Sequence, residues 1–202
     1  MHFVPASIFA KLSDGSELLL REVTAADRER AIDAFDRLNS DDIAMRFWRD
    51  LIDIDDDLLD RLTSADQINH LAWCALNPER LEDPGYGAGS VWRLKNDPSV
   101  GEISLTILPD YQGRGLGIVL FGLLWVLARL LGMQILRANV LNANHRALSW
   151  FKRLGGEVHS HGAFYEIDFC LMDNALAASE IPSQVELTRW IHFFQTEFGG
   201  ES

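Results

Sequence analysis

Leu108-Pro109-Asp110-Tyr111-Gln112-Gly113-Arg114-Gly115-Leu116-Gly117 is the stretch on which the reading of this chain turns. Before it, residues 101–108 read as a strand carrying Ile103, Leu105, Ile107 and Leu108, closed by Pro109. After it, residues 116–131 are almost uniformly apolar at helical length and stop at Gly132, which predicts a helix buried on most sides against a sheet. Three glycines at alternating positions between a strand and a helix let backbone N–H groups converge on one point. At a helix start those donors lack partners and the helix dipole favours negative charge, so the turn is built to hold an anion such as a pyrophosphate. The dipole alone contributes about 0.3–1 kcal/mol, so oriented amides and Arg114 must supply the rest. A nucleotide-binding P-loop would need Lys-Ser or Lys-Thr after its last glycine, and the dinucleotide fingerprint spaces its glycines differently; neither fits.

Working outward, residues 18–22 predict a strand, and Thr24 with Asp27 a capping-box-like start for a helix to Leu38. Residues 40–62, rich in aspartate with leucines between, predict one or two short helices with an acidic outer face. Residues 68–76 and 89–94 predict antiparallel strands joined by the Pro/Gly-rich loop 77–87. Residues 135–141 predict the strand after the long helix. Asn144 is placed to cap a helix ending at Leu154, and residues 157–160 and 164–172 predict two closing strands. In the tail, Ser183 and Glu186 suggest a second capping box, followed by Leu187, Trp190, Ile191, Phe194 and Phe198 along one helical face. That face packs either on its own domain or on a second subunit.

The resulting fold class is mixed α/β (α+β), a central and mostly antiparallel twisted sheet with flanking helices. Residues 1–175 form the main domain and 176–202 a C-terminal amphipathic helix. With 202 residues, 48% of them hydrophobic, there is one substantial core and little room for a second. A net charge of −12 repels nucleic-acid phosphate and attracts cations. Cys74 and Cys170 lie far apart in apolar runs and read as two buried free thiols. The apolar run 118–131 contains Arg129 and is too short for a membrane span, so we expect a cytoplasmic monomer or homodimer with neither nucleic-acid nor membrane partner. His159 and His161 have no third ligand near by, and we expect no metal site.

Gln112-Gly113-Arg114-Gly115-Leu116-Gly117 resembles the Gln/Arg-x-x-Gly-x-Gly/Ala signature of the GNAT (Gcn5-related) N-acetyltransferases. Asn144-His145-Arg146-Ala147 through Trp150-Phe151 to Leu154-Gly155 resembles their Asn-x-x-Ala…Leu-Tyr-x-x-Leu-Gly segment. The resemblance implies acetyl-CoA as co-substrate, held by Ile107, Leu108, Gln112, Gly113, Arg114, Gly115, Leu116, Gly117, Ile118 and Asn144. The strands of 101–108 and 135–141 would splay to admit its pantetheine arm. Asn144 is equally a plain helix cap. Gly101-Glu102-Ile103-Ser104 resembles the bacterial protein lysine acetyltransferases, in which the glutamate is the general base; the other reading of Glu102 is an exposed charge at a strand end. Leu20-Arg21-Glu22-Val23-Thr24-Ala25-Ala26-Asp27, Phe35-Asp36-Arg37-Leu38-Asn39-Ser40, Arg46-Phe47-Trp48 and His70-Leu71-Ala72-Trp73 are similar to the same branch. Trp48 and Trp73 are candidates to line an acceptor slot, and the other tryptophans read as dispersed packing. Where many members carry a tyrosine general acid, this chain has Phe151, with Ser149 near by. The implied function is transfer of acetyl to a primary amine, a protein lysine or a small molecule. A CoA-binding sensor with little turnover is the third reading.

Overall fold

The computed structural model describes residues 5–39, 43–45, 55–172 and 179–199. Its strands are β1 (Ser7–Lys11), β2 (Glu17–Glu22), β3 (His70–Leu76), β4 (Gly87–Arg93), β5 (Val100–Ile107), β6 (Ile135–Leu141), β7 (Glu157–Ser160) and β8 (Phe164–Cys170). Its helices are α1 (Arg28–Asp36), α2 (Asp56–Thr63), α3 (Leu116–Leu130), α4 (His145–Arg153) and α5 (Pro182–Glu197). The strands form one sheet in the order β1-β2-β3-β4-β5-β6-β8-β7. Every neighbouring pair is antiparallel except β5 and β6, which α3 joins in parallel. The mixed architecture with a mostly antiparallel sheet is therefore as the sequence predicts.

Period-two alternation separates the two faces of the sheet. Leu71, Trp73 and Ala75 of β3, Val91 of β4 and Ile103 of β5 join the core formed with α3. Their alternates, Ala72, Cys74, Ser90, Ser104 and Thr106, face α1 and α2 across a cavity of about 130 Å³. Because both faces are covered, β3 is buried along its whole length. Helix α3 lies against β3, β4 and β5 on one side and α5 on the other, which explains an apolar sequence with no polar face. The α5 side chains Leu187, Trp190, Phe194 and Phe198 are buried in that contact. Gly122 makes the close approach possible, since a Cβ there would stand 3.1 Å from Trp190 Cβ.

Several boundaries and residues differ from expectation. Strand β1 was not foreseen, because only Ile8 and Ala10 of its five residues are buried while Phe9 stays 69% exposed, too short a pattern to stand out. Thr24 does open a helical segment: its N–H donates to Asp27 Oδ2 at 2.9 Å. The first turn, Ala25–Asp27, is 3₁₀, and α1 ends at Asp36. Strand β3 starts at His70 instead of Ile68, because Asp66 Oδ1 accepts from the amides of Ile68, Asn69 and His70 and holds them in a turn. Ser183 is not a cap. Helix α5 begins after Ile181 with Pro182 in its first turn, and the Ser183 hydroxyl donates to Arg153 O at 2.9 Å. Cys170 is exposed, since it follows the buried Phe169 at the end of β8; only Cys74 is buried. Trp73 is fully buried on the α3 face and lines no acceptor slot. Of residues 40–62, the described positions 43–45 are helical and 56–62 belong to α2, which is capped by Asp55, whose side chain accepts from the Leu58 amide. Arg46, Phe47 and Trp48 lie outside the described residues.

Candidate functional site

Strands β5 and β6 pair over three positions only, Val100 with Ile135, Gly101 with Leu136 and Glu102 with Arg137. Beyond Glu102 they separate, although β5 runs on to Ile107 and β6 to Leu141. The edge of β5 that faces β6 is thus left without a ladder partner, beside the turn that leads into α3.

That turn keeps an open backbone. Gly113 and Gly115 hold φ at 76° and 90°, a region costly for residues with a Cβ. The flanking amides are occupied: Leu108 donates to Tyr86 O, Tyr111 to Leu108 O, Gln112 to Pro109 O and Ile118 to Gly115 O. Among the described residues, the amides of Gly113, Arg114, Gly115, Leu116 and Gly117 donate to no protein acceptor. Five consecutive unpaired donors at a helix N-terminus form an anion cradle. Ile118, with its amide engaged and its side chain 7% exposed, lies past the last free donor.

Side chains brace the cradle from both ends. Gln112 Nε2 donates to Ile107 O at 3.0 Å, and Arg146 of α4 donates to Gln112 Oε1. The Arg114 guanidinium lies 5.4 Å from the Tyr111 ring centre, and Tyr111 in turn contacts Tyr86 at 4.2 Å between centres. Leu108 and Leu116 are buried on either side. Asn144 Oδ1 caps α4 by accepting from the Ala147 amide at 3.0 Å, while its Nδ2 has no acceptor among the described residues. Both roles set out for Asn144 are thus compatible. Unforeseen in sequence was Glu186 of α5, whose Oε1 lies 3.4 Å from where a Gly115 Cβ would stand. It adds an acidic group to the rim; in sequence it reads only as the partner of Ser183 in a capping box, and nothing local marks it for the rim.

Glu102 occupies the last paired position before the splay, half-buried, with no ion-pair partner among the described residues. Its neighbour Arg137 is engaged elsewhere. Nε and Nη2 donate to the two oxygens of Asp168 at 2.8 and 2.7 Å, and Nη1 lies 3.0 Å from Glu166 Oε2. On the other side Glu102 lies directly opposite Trp92, which lies opposite His70. Burial pushes the His70 pKa down to about 4. Deeper on this face, burial raises the Asp27 carboxyl, but bonds from Arg21 and the Thr24 amide outweigh it and hold Asp27 well below the usual carboxylate range. Burial pushes the Cys74 thiol up to about 11, so it stays protonated.

Phe151 is 7% exposed and packs edge-on against Phe121, 5.9 Å between centres, beside Trp150 and Phe169. Ser149 is on the exposed side of α4, where its Oγ accepts from Arg153 at 2.7 Å. Neither brings a phenol-like acid to the splay. His161 stacks on Phe164, and the described residues contain no cluster of three metal-ligating side chains.

Residues 17–157 match the family model described as "Acetyltransferase (GNAT) domain". The chain is 30% identical over 141 residues to acetyltransferase Pat of Mycolicibacterium smegmatis, a stretch that makes up 70% of this chain and 41% of that protein. This chain therefore spans less than half the length of that relative. The GNAT domain of S. lividans PAT superposes with a TM-score of 0.76 at 19% identity, over 83% of this chain and 99% of that one. YncA of Salmonella typhimurium, solved with its cofactor acetyl-CoA, gives 0.62 at 17% identity over 77% and 95%.

Proposed function

The chain belongs to the GNAT acetyltransferase family, and from that premise we propose that it transfers an acetyl group from acetyl-CoA to a primary amine, a protein lysine in the first instance, with Glu102 as general base. The observation that carries this reading is the run of five amides, residues 113–117, without an acceptor among the described residues, at the mouth of a splay whose last paired position is Glu102. The donor set suits a diphosphate: amides and Arg114 for its charge, Asn144 Nδ2 and the unladdered β5 edge for the amide groups of a pantetheine arm. The co-substrate supplies an activated thioester.

What the chain must supply is a neutral nucleophile. At pH 7 a lysine-like amine of pKa about 10.4 costs about 4.6 kcal/mol to deprotonate, whereas leaving a thiol of pKa about 8.5 unprotonated costs about 2 kcal/mol. A base therefore matters more than an acid. Glu102 accepts the amine proton on its carboxylate; Phe151 has no proton to give. The test is CoA release with a panel of amines, in wild type and Glu102→Gln. Activity should fall by about 10²–10⁴-fold at neutral pH and recover as pH rises. Full activity in the variant would remove Glu102 from the role.

Phe151, sealed in an aromatic cluster, favours a second reading in which the cradle binds CoA without turnover. Calorimetric binding of acetyl-CoA with no product on any amine, small or peptidic, would select it.

A further inference from the structure

Trp92, near the end of the central strand β4, is 40% exposed, high for an indole on an inner strand. Its position is set by two cross-strand pairs. His70 of β3 is opposite it on one side and Glu102 of β5 on the other, so the three side chains form a row on the α1 and α2 face. Directly paired residues have Cβ atoms only about 4.5–5.5 Å apart, within reach for a common ligand.

His70 fixes the ring. The imidazole is 4% exposed and stacks on the indole with centres 3.6 Å apart and planes 14° from parallel. One indole face is therefore covered, and the exposure of Trp92 belongs to the other face and the edge. Burial keeps the imidazole uncharged at neutral pH, so it does not repel a cation on the far side of the indole. Among the described residues, the charges around the row include Asp66 and Arg61 near His70, Glu102, and Arg137, which is already held by Asp168 and Glu166. An open aromatic face beside a carboxylate that has no ion-pair partner among the described residues is a cation-binding pair.

We propose that Trp92 is the platform on which the acceptor's ammonium group docks, making the site selective for amines that arrive charged. The inference rests on Glu102 being the base. The ammonium and its last methylenes lie on the open indole face, and one N–H proton passes to the Glu102 carboxylate, leaving the nitrogen lone pair free. Amines that are neutral in solution gain nothing from the platform.

The test uses a probe that cannot react. A peptide carrying trimethyllysine keeps the charge, and its tert-butyl isostere keeps the shape without it. Both are titrated by calorimetry into the CoA-saturated protein. We expect the cationic peptide to bind about 2–30-fold more tightly to wild type. The ratio should fall in Trp92→Ala to what the Glu102 carboxylate alone supports, and be partly kept in Trp92→Phe, which retains a ring if the alanine variant misfolds. Equal binding of the two peptides to wild type, or a ratio unchanged in Trp92→Ala, overturns the proposal. Because the readout is binding, it stands apart from turnover. A wild type that binds the cation through Trp92 yet acetylates no amine would defeat the proposed function and leave the platform intact.

Discussion

Replacing Gly115 with valine forces a choice on the turn that opens α3. The position holds φ at 90°, where a β-branched residue is an outlier and any L-residue loses about 1–2 kcal/mol. A Cβ would already lie 3.4 Å from Glu186 Oε1, and the valine methyls extend further. The backbone therefore turns towards negative φ, which rotates the peptide planes on both sides and takes the Gly115 and Leu116 amides off their common target. Two bonds to a charged ligand, at about 1.5–3 kcal/mol each, amount to about 3–6 kcal/mol, or roughly 10²–10⁴-fold in the Kd for CoA. Gly132→Val is the control. Gly132 has φ of 82° at the other end of α3 with nothing within 4 Å, so it meets the same backbone penalty far from the cradle. Calorimetry with CoA, alongside thermal melts, should show both variants losing stability and Gly115→Val alone losing affinity. A folded Gly115→Val protein binding CoA within threefold of wild type, or an equal loss in Gly132→Val, would refute the assignment of the anion site to this backbone.

Two further outcomes follow from the packing. The folded protein keeps His70 neutral down to about pH 4, while the unfolded chain protonates it near 6.5. Stability contributed by the neutral form is thus complete above about pH 6.5 and lost as pH falls towards 4, about 3 kcal/mol in all at 1.4 kcal/mol per pH unit. Urea titrations across that window should show the slope in wild type and not in His70→Phe; Asp27, held below the usual range, contributes its loss only at lower pH. Phe194→Ala empties a fully buried position between α5 and α3, for about 3–5 kcal/mol and a Tm lower by about 6–20 °C. A variant that melts like wild type while protease trims α5 would show that this helix is not part of the cooperative unit.

The elements legible in sequence are those that answer to local backbone demands. Strand β6 spans Ile135–Leu141 as expected, α3 runs to within a residue of its expected end, and Asn144 caps α4 through the Ala147 amide. In each, the signal and the structure lie within one or two turns of each other. The Ser183 box fails for a related reason. Pro182 has its φ fixed and no N–H to give, which suits it to the first helical position, so the helix starts two residues early, with Ile181 as N-cap, and frees Ser183 to reach the carbonyl end of α4.

What was illegible depends on register. Trp73 and Trp92 look alike in sequence, each an aromatic in an apolar strand. Yet Trp73 falls on the α3 face at 0% exposure, and Trp92 on the opposite face at 40%, level with Glu102. That difference is decided by which residue of β3 lies opposite which residue of β4, His70 with Trp92 and Trp73 with Gly89, a pairing made across the loop between them, and a slip of one residue would put Trp92 on the other face. The same logic hides Glu186, brought to Gly115 only because Gly122 lets α5 lie close on α3. The anion cradle is written in consecutive residues and so can be read from them. The surface proposed to receive the amine is assembled from β3, β4 and β5, and its selectivity would therefore depend on strand register more than on any motif.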